Sequence, residues 1–206
     1  MTTQALEPVY DPASALVLID VQNDFADPGG SLAVAGGSAI IGYLNAQSEA
    51  ARRAGALVAY TQDWHPPSTP HFARDGGIWP VHCVIDTWGA ELHPNLLVDG
   101  PRVRKGSAGE DGYSGFTVRD PTGGGEAPTE LDAILRANGV ERVVIAGLAT
   151  DYCVLASALD AVRLGYRTQV LLDGIRAVDL AQGDGDRALA TMADAGVELI
   201  GPAQRP

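Results

Sequence analysis

The stretch Ala15-Leu16-Val17-Leu18-Ile19-Asp20 is apolar on both faces until a carboxylate closes it. A strand with one wet face alternates apolar and polar residues. A run without alternation belongs in the middle of a parallel sheet that is covered on both sides. The rest of the chain repeats this grammar. A helix is expected over residues 38–53, with Gly55 as its stop, followed by a strand over 56–61 that ends at Asp63. Residues 64–101 hold too many Pro, Gly and aromatic residues for regular structure, and a loop of that length is commonly functional. A short strand around Val103 ends near Lys105, and a Gly-rich stretch over 106–125 follows it. Beyond lie a helix over 129–138, a strand over 142–146 and a helix over 151–164 with apolar positions at 154, 155, 158, 159 and 162. A strand over 168–172, a helix over 185–195 and a strand over 197–200 complete the chain. Strands alternating with helices predict a doubly wound α/β fold in one domain: a mostly parallel six-stranded sheet with helices on both faces.

Composition narrows the function classes. With 206 residues the chain can bury a full core, and 14 basic against 26 acidic residues leave a net charge of −12. Such a balance repels nucleic acid and anionic membranes and suits a soluble enzyme or small-molecule binder, with self-association left open. No stretch is apolar enough to span a bilayer. The first eight residues lack the basic start and apolar run of a signal peptide, and two distant cysteines make no disulfide framework. A cytoplasmic protein is expected. No Gly-x-Gly-x-x-Gly follows a strand, so nothing supports dinucleotide binding; Gly123-Gly124-Gly125 reads as a flexible loop.

Three of the four histidines fall between positions 65 and 82, in Asp63-Trp64-His65-Pro66-Pro67-Ser68-Thr69-Pro70-His71 and Trp79-Pro80-Val81-His82-Cys83. Asp63 and His65 are two apart and leave an extended strand end on one face. The Pro- and Gly-rich chain between them and His82 must turn repeatedly, so His71 and His82 can return to that face. One carboxylate and three imidazoles form a ligand set for one divalent ion, with zinc, iron and manganese all acceptable. Scattered histidines beside prolines are individually ordinary loop surface; three of four beside an aspartate are not.

Cys153 follows the fourth strand through Gly147-Leu148-Ala149-Thr150-Asp151-Tyr152, which places its thiol in the first turn of a helix. Backbone N–H groups and the helix dipole favour a thiolate there, and N–H groups at Cys153 and near Ala149 are available to an oxyanion. An isolated cysteine is more often buried packing, which is how Cys83 reads between apolar neighbours. Lys105 is the only lysine against thirteen arginines, a compact titratable ammonium at a strand end. Asp20 ends an all-apolar strand, where a carboxylate is costly without a partner, unless it merely caps a turn. A carboxylate, a lysine and a thiol gathered at the carboxyl ends of parallel strands can carry acyl transfer.

These residues, taken in order, resemble a family. Asp20-Val21-Gln22-Asn23-Asp24-Phe25 with Gly29-Gly30-Ser31-Leu32-Ala33, then Asp63-x-His65, His71, Trp79-Pro80-x-His82-Cys83, Lys105-Gly106, Tyr113-Ser114-Gly115-Phe116 and Gly147-x-Ala149-Thr150-Asp151-x-Cys153 look like the nicotinamidases of the isochorismatase-like hydrolase superfamily. The resemblance spans roughly residues 15–175. It implies an isochorismatase-like, Rossmann-like fold and assigns Asp20, Lys105 and Cys153 to a catalytic triad. It also implies metal ligation by Asp63, His65, His71 and His82, and a substrate pocket lined by Phe25, Trp79 and Tyr113. Tyr152, beside the nucleophile where close relatives often carry His, is counted with that pocket. A cis Leu148–Ala149 bond is implied, turning the Ala149 N–H toward an oxyanion shared with the Cys153 N–H. Residues 73–78 match no motif of the family.

The implied reaction is hydrolysis of nicotinamide to nicotinate and ammonia through a Cys153 thioester, the metal anchoring the pyridine nitrogen and Phe25 and Trp79 sandwiching the ring. Three other readings compete. Another amide or carbamoyl hydrolase of the superfamily would share the Asp, Lys and Cys but generally lack the metal set. A metal-hydroxide hydrolase would dispense with the thiol. A binding module without turnover would need neither the thiol nor the lone lysine.

Overall fold

In the computed structural model, which describes residues 10–120 and 123–201, β1 (Ser14–Ile19) lies at the centre and is buried along its whole length. The first eight residues, read for targeting signals, lie outside the described ones. β1 pairs in parallel with β2 (Leu57–Asp63) on one side and β6 (Arg142–Leu148) on the other. β3 (Arg102–Lys105) extends the sheet beyond β2, and β7 (Arg167–Arg176) and β8 (Glu198–Ile200) extend it beyond β6. The order is β3-β2-β1-β6-β7-β8, all parallel. It reverses direction of winding between β1 and β6, the place where open α/β sheets bind ligands.

The two faces of β1 explain its sequence. Leu16 and Leu18 pack under α2 (Ile41–Arg53) with Ile41 and Leu44, while Ala15, Val17 and Ile19 face α3 (Leu131–Ala137), α4 (Leu155–Arg163) and α5 (Asp184–Asp194) through Leu131, Ala158 and Met192. A one-turn helix, α1 (Asn23–Ala26), follows β1 directly. At the carboxyl end of β6 the sheet tightens. A Cβ on Gly147 (φ +121°) would stand 2.1 Å from the Ile19 carbonyl oxygen, so only glycine lets the two strands approach.

Three elements depart from the expected pattern. The Gly-rich stretch contains a small antiparallel hairpin, β4 (Thr117–Arg119) with β5 (Glu126–Pro128), whose connection includes Gly123 to Gly125. β7 runs on to Arg176, past a register shift against β6. The helix carrying Cys153 starts not as a regular α-turn but as a wider π-turn over Thr150–Val154 before α4 takes over. Residues 64–101 are irregular, as their composition requires, with only single 3-10 turns at Ala73–Asp75 and Trp88–Ala90. Among the described residues no helix is long and apolar enough to cross a membrane.

Candidate active site

Three strand ends bring the candidate residues Asp20, Lys105 and Cys153 together. Asp20 stands just past β1, Lys105 is the last residue of β3, and Cys153 lies in the turn after β6. Asp20 adopts φ +48°, a left-handed conformation that Asp tolerates better than most residues and that turns the chain away from the strand direction. All three side chains are buried, Asp20 completely. The Lys105 ammonium lies 2.9 Å from Asp20 Oδ2, is hydrogen-bonded to Asp63 Oδ1, and sits 3.7 Å from Cys153 Sγ. A carboxylate oxygen from Asp20, one from Asp63 and the Cys153 sulfur all lie within 4.8 Å of one another. The ammonium therefore occupies the one cationic position among three potential anions.

Electrostatics separates the two carboxylates that share it. Burial pushes Asp20 up, and the nearby Lys105 does not fully offset that. Burial also acts on Asp63, but there Lys105, helped by His65 and His82, wins and holds the carboxyl well below its ordinary range. Asp63 stays charged while Asp20 has a raised proton affinity. For Lys105, burial works against the charge and is outweighed by Asp20 and Asp63, so the ammonium persists. Burial drives the Cys153 thiol well above its ordinary value despite Lys105, with the two carboxylates adding to the rise. Enclosure thus opposes the thiolate that a helix start favours. Asp20 Oδ1 accepts a hydrogen bond from the Thr61 hydroxyl at 2.6 Å, and Thr61 Oγ1 in turn accepts from the Asp20 N–H at 3.2 Å.

The histidines converge above this floor. His65, His71 and His82 are buried and place one ring nitrogen each within 4.8 Å of one another. Asp63 joins the two groups, its Oδ2 standing 3.6 Å from His65 Nε2 and 3.8 Å from His82 Nε2 while Oδ1 meets Lys105. Both ring nitrogens of His65 are buried with no hydrogen-bond partner, an arrangement that is costly for a polar group unless something else completes it. His82 Nδ1 bonds the Pro80 carbonyl at 2.7 Å, and burial lowers the His82 pKa to about 4, so the imidazole is neutral. Three clustered imidazoles, the neutral His82 ring among them with one nitrogen tied back, and a charged carboxylate beside them make a donor set suited to a divalent ion. The residues present fit such an ion. His93, the fourth histidine, lies elsewhere, 3.8 Å from an Asp27 oxygen.

Between the two clusters is a cavity with about 30 Å³ of accessible space, bounded by Phe25, Trp79, Tyr113, Tyr152 and Cys153 among others. The Trp79 indole N–H donates to the Tyr113 hydroxyl at 3.0 Å, and the Tyr152 ring packs edge-on to Trp79 with centroids 4.8 Å apart. Ala149, next to the cis Leu148–Ala149 bond, also lines it. Leu32 and Val178 complete the wall.

Residues 14–204 match the Isochorismatase domain family. This chain belongs to that family. A nicotinamidase of Escherichia coli (strain K12) is 36% identical over 207 residues, covering 91% of this chain and 94% of the relative. The pyrazinamidase of Pyrococcus horikoshii, solved in complex with zinc, has a TM-score of 0.81 and 39% identity over 92% of this chain and 99% of its own. PnC1 from L. infantum, solved in complex with nicotinate, reaches a TM-score of 0.85 at 35% identity, covering 95% of this chain and 96% of that one. The doubly wound parallel sheet expected from the strand pattern is thus the family's own.

Several residues that hold this isochorismatase-family site together received no role in the reading of the sequence, although Gln22, Asp24 and Gly106 stand in its motifs. Gln22 bridges β1 to β2 and the long loop: its amide N–H groups donate to the Asp63 and Ala90 carbonyls at 2.7 and 2.8 Å, and its oxygen accepts from the Asp63 N–H at 2.8 Å. Asp24 accepts from the Cys83 N–H at 2.7 Å and the Ser31 N–H at 3.0 Å. Gly89 presses on the same carboxylate so closely that a Cβ there would stand 2.0 Å from it. Gly106 does likewise for His65: a Cβ would lie 2.8 Å from Nδ1, which accounts for glycine after Lys105. The signal for Gln22 and Asp24 was present in the polar run that directly follows an apolar strand, but it named no partner.

Proposed function

We propose that this chain hydrolyses nicotinamide to nicotinate and ammonia, with Cys153 as nucleophile, Asp20 as proton carrier and Lys105 as the fixed cation that organises them. One observation carries the reading: a buried thiol 3.7 Å from an ammonium that two carboxylates hold, at an aromatic-walled cavity that His71 and His82 of the histidine cluster also border. The relatives named as nicotinamidase and pyrazinamidase, and the neighbour solved with nicotinate, support the substrate class.

The proton inventory follows from the pKa directions. Cys153 rests as a thiol and Asp20 has a raised proton affinity, so a proton passes from sulfur to Asp20 as attack begins. The sulfur forms a bond to the carboxamide carbon, and the carbonyl oxygen takes up negative charge. The Ala149 and Cys153 N–H groups face that oxygen in this reading, a contribution worth about 3 kcal/mol per donor in comparable sites. The tetrahedral adduct collapses, the C–N bond breaks, and the nitrogen leaves as ammonia with the proton from Asp20. Water then attacks the thioester, yielding its proton to Asp20, which returns it to the departing sulfur. Lys105 stays charged throughout, held by Asp63. It keeps the negative charge that moves between Asp20 and sulfur close to a cation.

His65, His71, His82 and Asp63 would hold a divalent metal ion, of which zinc, iron and manganese are all compatible with the donors. Bound there, such an ion supplies a Lewis-acidic anchor for the pyridine nitrogen. Phe25 and Trp79 would flank the ring. The test is ammonia release from nicotinamide by the purified protein, with Cys153→Ala alongside. Release that the variant loses supports the reading; equal release by both would overturn the thioester route.

A further inference from the structure

The three clustered histidines are held in three different ways. His82 leans on a backbone carbonyl two residues away, and His65 has no partner on either nitrogen. His71 alone is tied to a carboxylate: its Nδ1 lies 2.7 Å from Asp111 Oδ1, across 40 residues of chain. A carboxylate oxygen only accepts, so the proton between them rides on Nδ1 and Nε2 is left with the free lone pair.

Asp111 is itself firmly placed. Oδ1 also accepts from the Gly112 N–H at 2.8 Å. The Asp111 backbone pairs both ways with Arg119 at 2.7 and 2.6 Å, and the Arg119 guanidinium stands 3.5 Å from Oδ2. Arg119 ends β4, so the carboxylate's position is set by the small hairpin, an element that supplies no member of the histidine cluster. The Asp111 side chain is about a quarter exposed, 29%, whereas the His71 side chain is 5% exposed, so the contact joins a buried ligand to the outer shell of the molecule.

We infer that Asp111 is a positioning residue of the metal centre, fixing the tautomer and rotation of His71 and strengthening Nε2 as a donor through its negative charge. The inference rests on the reading of His65, His71 and His82 as metal ligands. A neutral carbonyl can fix a tautomer, as Pro80 does for His82, but it brings no net charge to the ring. Outer partners of this kind characteristically govern metal retention more than fold.

The test is zinc affinity, measured by competition with a chromophoric chelator on metal-stripped protein, for the wild type, Asp111→Asn and Asp111→Ala. Asn keeps the shape and can still accept the Nδ1 proton, but lacks the charge; Ala lacks both. Affinity should fall in the order wild type, Asn, Ala, with Ala weakened roughly 10- to 100-fold. The visible absorption of the cobalt-loaded protein should shift in Ala while the thermal midpoint of the metal-free protein stays close to that of the wild type. If Ala does not fold, Asn alone decides, since a measurable loss of affinity without loss of metal-free stability has no explanation in fold. Wild-type affinity in both variants, or a loss matched by equal destabilisation of the metal-free protein, would overturn the role. A wild type that binds neither zinc nor cobalt would overturn the metal reading itself.

Discussion

Asp20, Lys105 and Cys153 are carried by the carboxyl ends of β1, β3 and β6, whereas His65, His71 and His82 hang on an irregular stretch with no element longer than one turn. The first group inherits its geometry from strand register: the β1–β2–β3 pairing sets Asp63 opposite Lys105 and holds Asp20 beside Thr61. The second group inherits its geometry from side chains that clamp backbone, chiefly Gln22, Asn23 and Asp24 reaching from the end of β1 to Asp63, Trp88 and Cys83. A sheet is cooperative and rigid; a clamped loop is only as firm as its few buried hydrogen bonds. The half proposed to move protons therefore sits on the sheet, and the half proposed to hold a metal ion on a part that can give.

The largest expected effect falls on the sheet-borne half. Cys153→Ala should lower kcat by on the order of 10⁴-fold, as loss of a covalent nucleophile does, while leaving the thermal midpoint near that of the wild type. Residual turnover above that level, measured as ammonia release, would mean that the loop-borne half can activate water by itself. The comparison between the two halves would then be drawn the wrong way round.

Next in size is Gly147→Ala, which attacks the sheet rather than the chemistry. A Cβ 2.1 Å from the Ile19 carbonyl oxygen, at φ +121°, leaves the strands no way to stay paired at their carboxyl ends. The expected loss is about 3 kcal/mol or more, or roughly 6–12 °C in thermal midpoint for a chain of this size. A scanning calorimetry trace within a degree or two of the wild type would show that β1 and β6 can separate there without penalty.

Asp24→Ala should act on the loop instead. It removes the acceptor for the Cys83 and Ser31 N–H groups, both within 3.0 Å, and leaves the buried Cys83 donor unpaired. About 1–3 kcal/mol of stability should be lost for that stranded buried donor. The loss should be local: hydrogen exchange should quicken around residues 83–90 while Leu16 to Leu18 stay protected. Uniform loss of protection across both regions would mean that loop and sheet unfold as one unit.

Much of the sheet half was legible because its determinants are local. An unbroken apolar run ending in Asp20 reads as a central strand, and the lone lysine and the cysteine after a strand are visible without knowing their neighbours. The histidines were legible as a set because three crowd into positions 65–82 beside Asp63. The clamps were not. Gln22, Asp24 and Thr61 are common residue types whose partners lie 41 or more residues away for Gln22 and Thr61, and 59 for the Asp24–Cys83 bond. Which of them bonds what depends on strand register and loop closure, neither of which a pattern of residue types contains. The β4–β5 hairpin escaped notice because β5 is fully exposed and so shows no burial pattern. The thiol's raised proton affinity escaped for a similar reason, since it comes from enclosure and from Asp20 and Asp63, not from its own helix turn.

The smallest effect belongs to the wall where the two halves meet. Trp79 comes from the loop and Tyr113 from the segment after β3, and they are joined by the indole N–H to the phenol oxygen at 3.0 Å. Tyr113→Phe keeps the ring and its packing against Tyr152, 5.2 Å between centroids, and removes only that acceptor. The Trp79 N–H then loses its partner, at a cost of about 1 kcal/mol in the orientation of the indole. Because the indole is proposed to flank the substrate ring and has no proposed part in proton transfer, the loss should appear as a several-fold rise in KM for nicotinamide with kcat little changed. A fall in kcat with KM unchanged would tie Tyr113 to the bond-breaking steps. The Trp79–Tyr113 pair would then belong with the sheet-borne half, although Trp79 is carried by the loop.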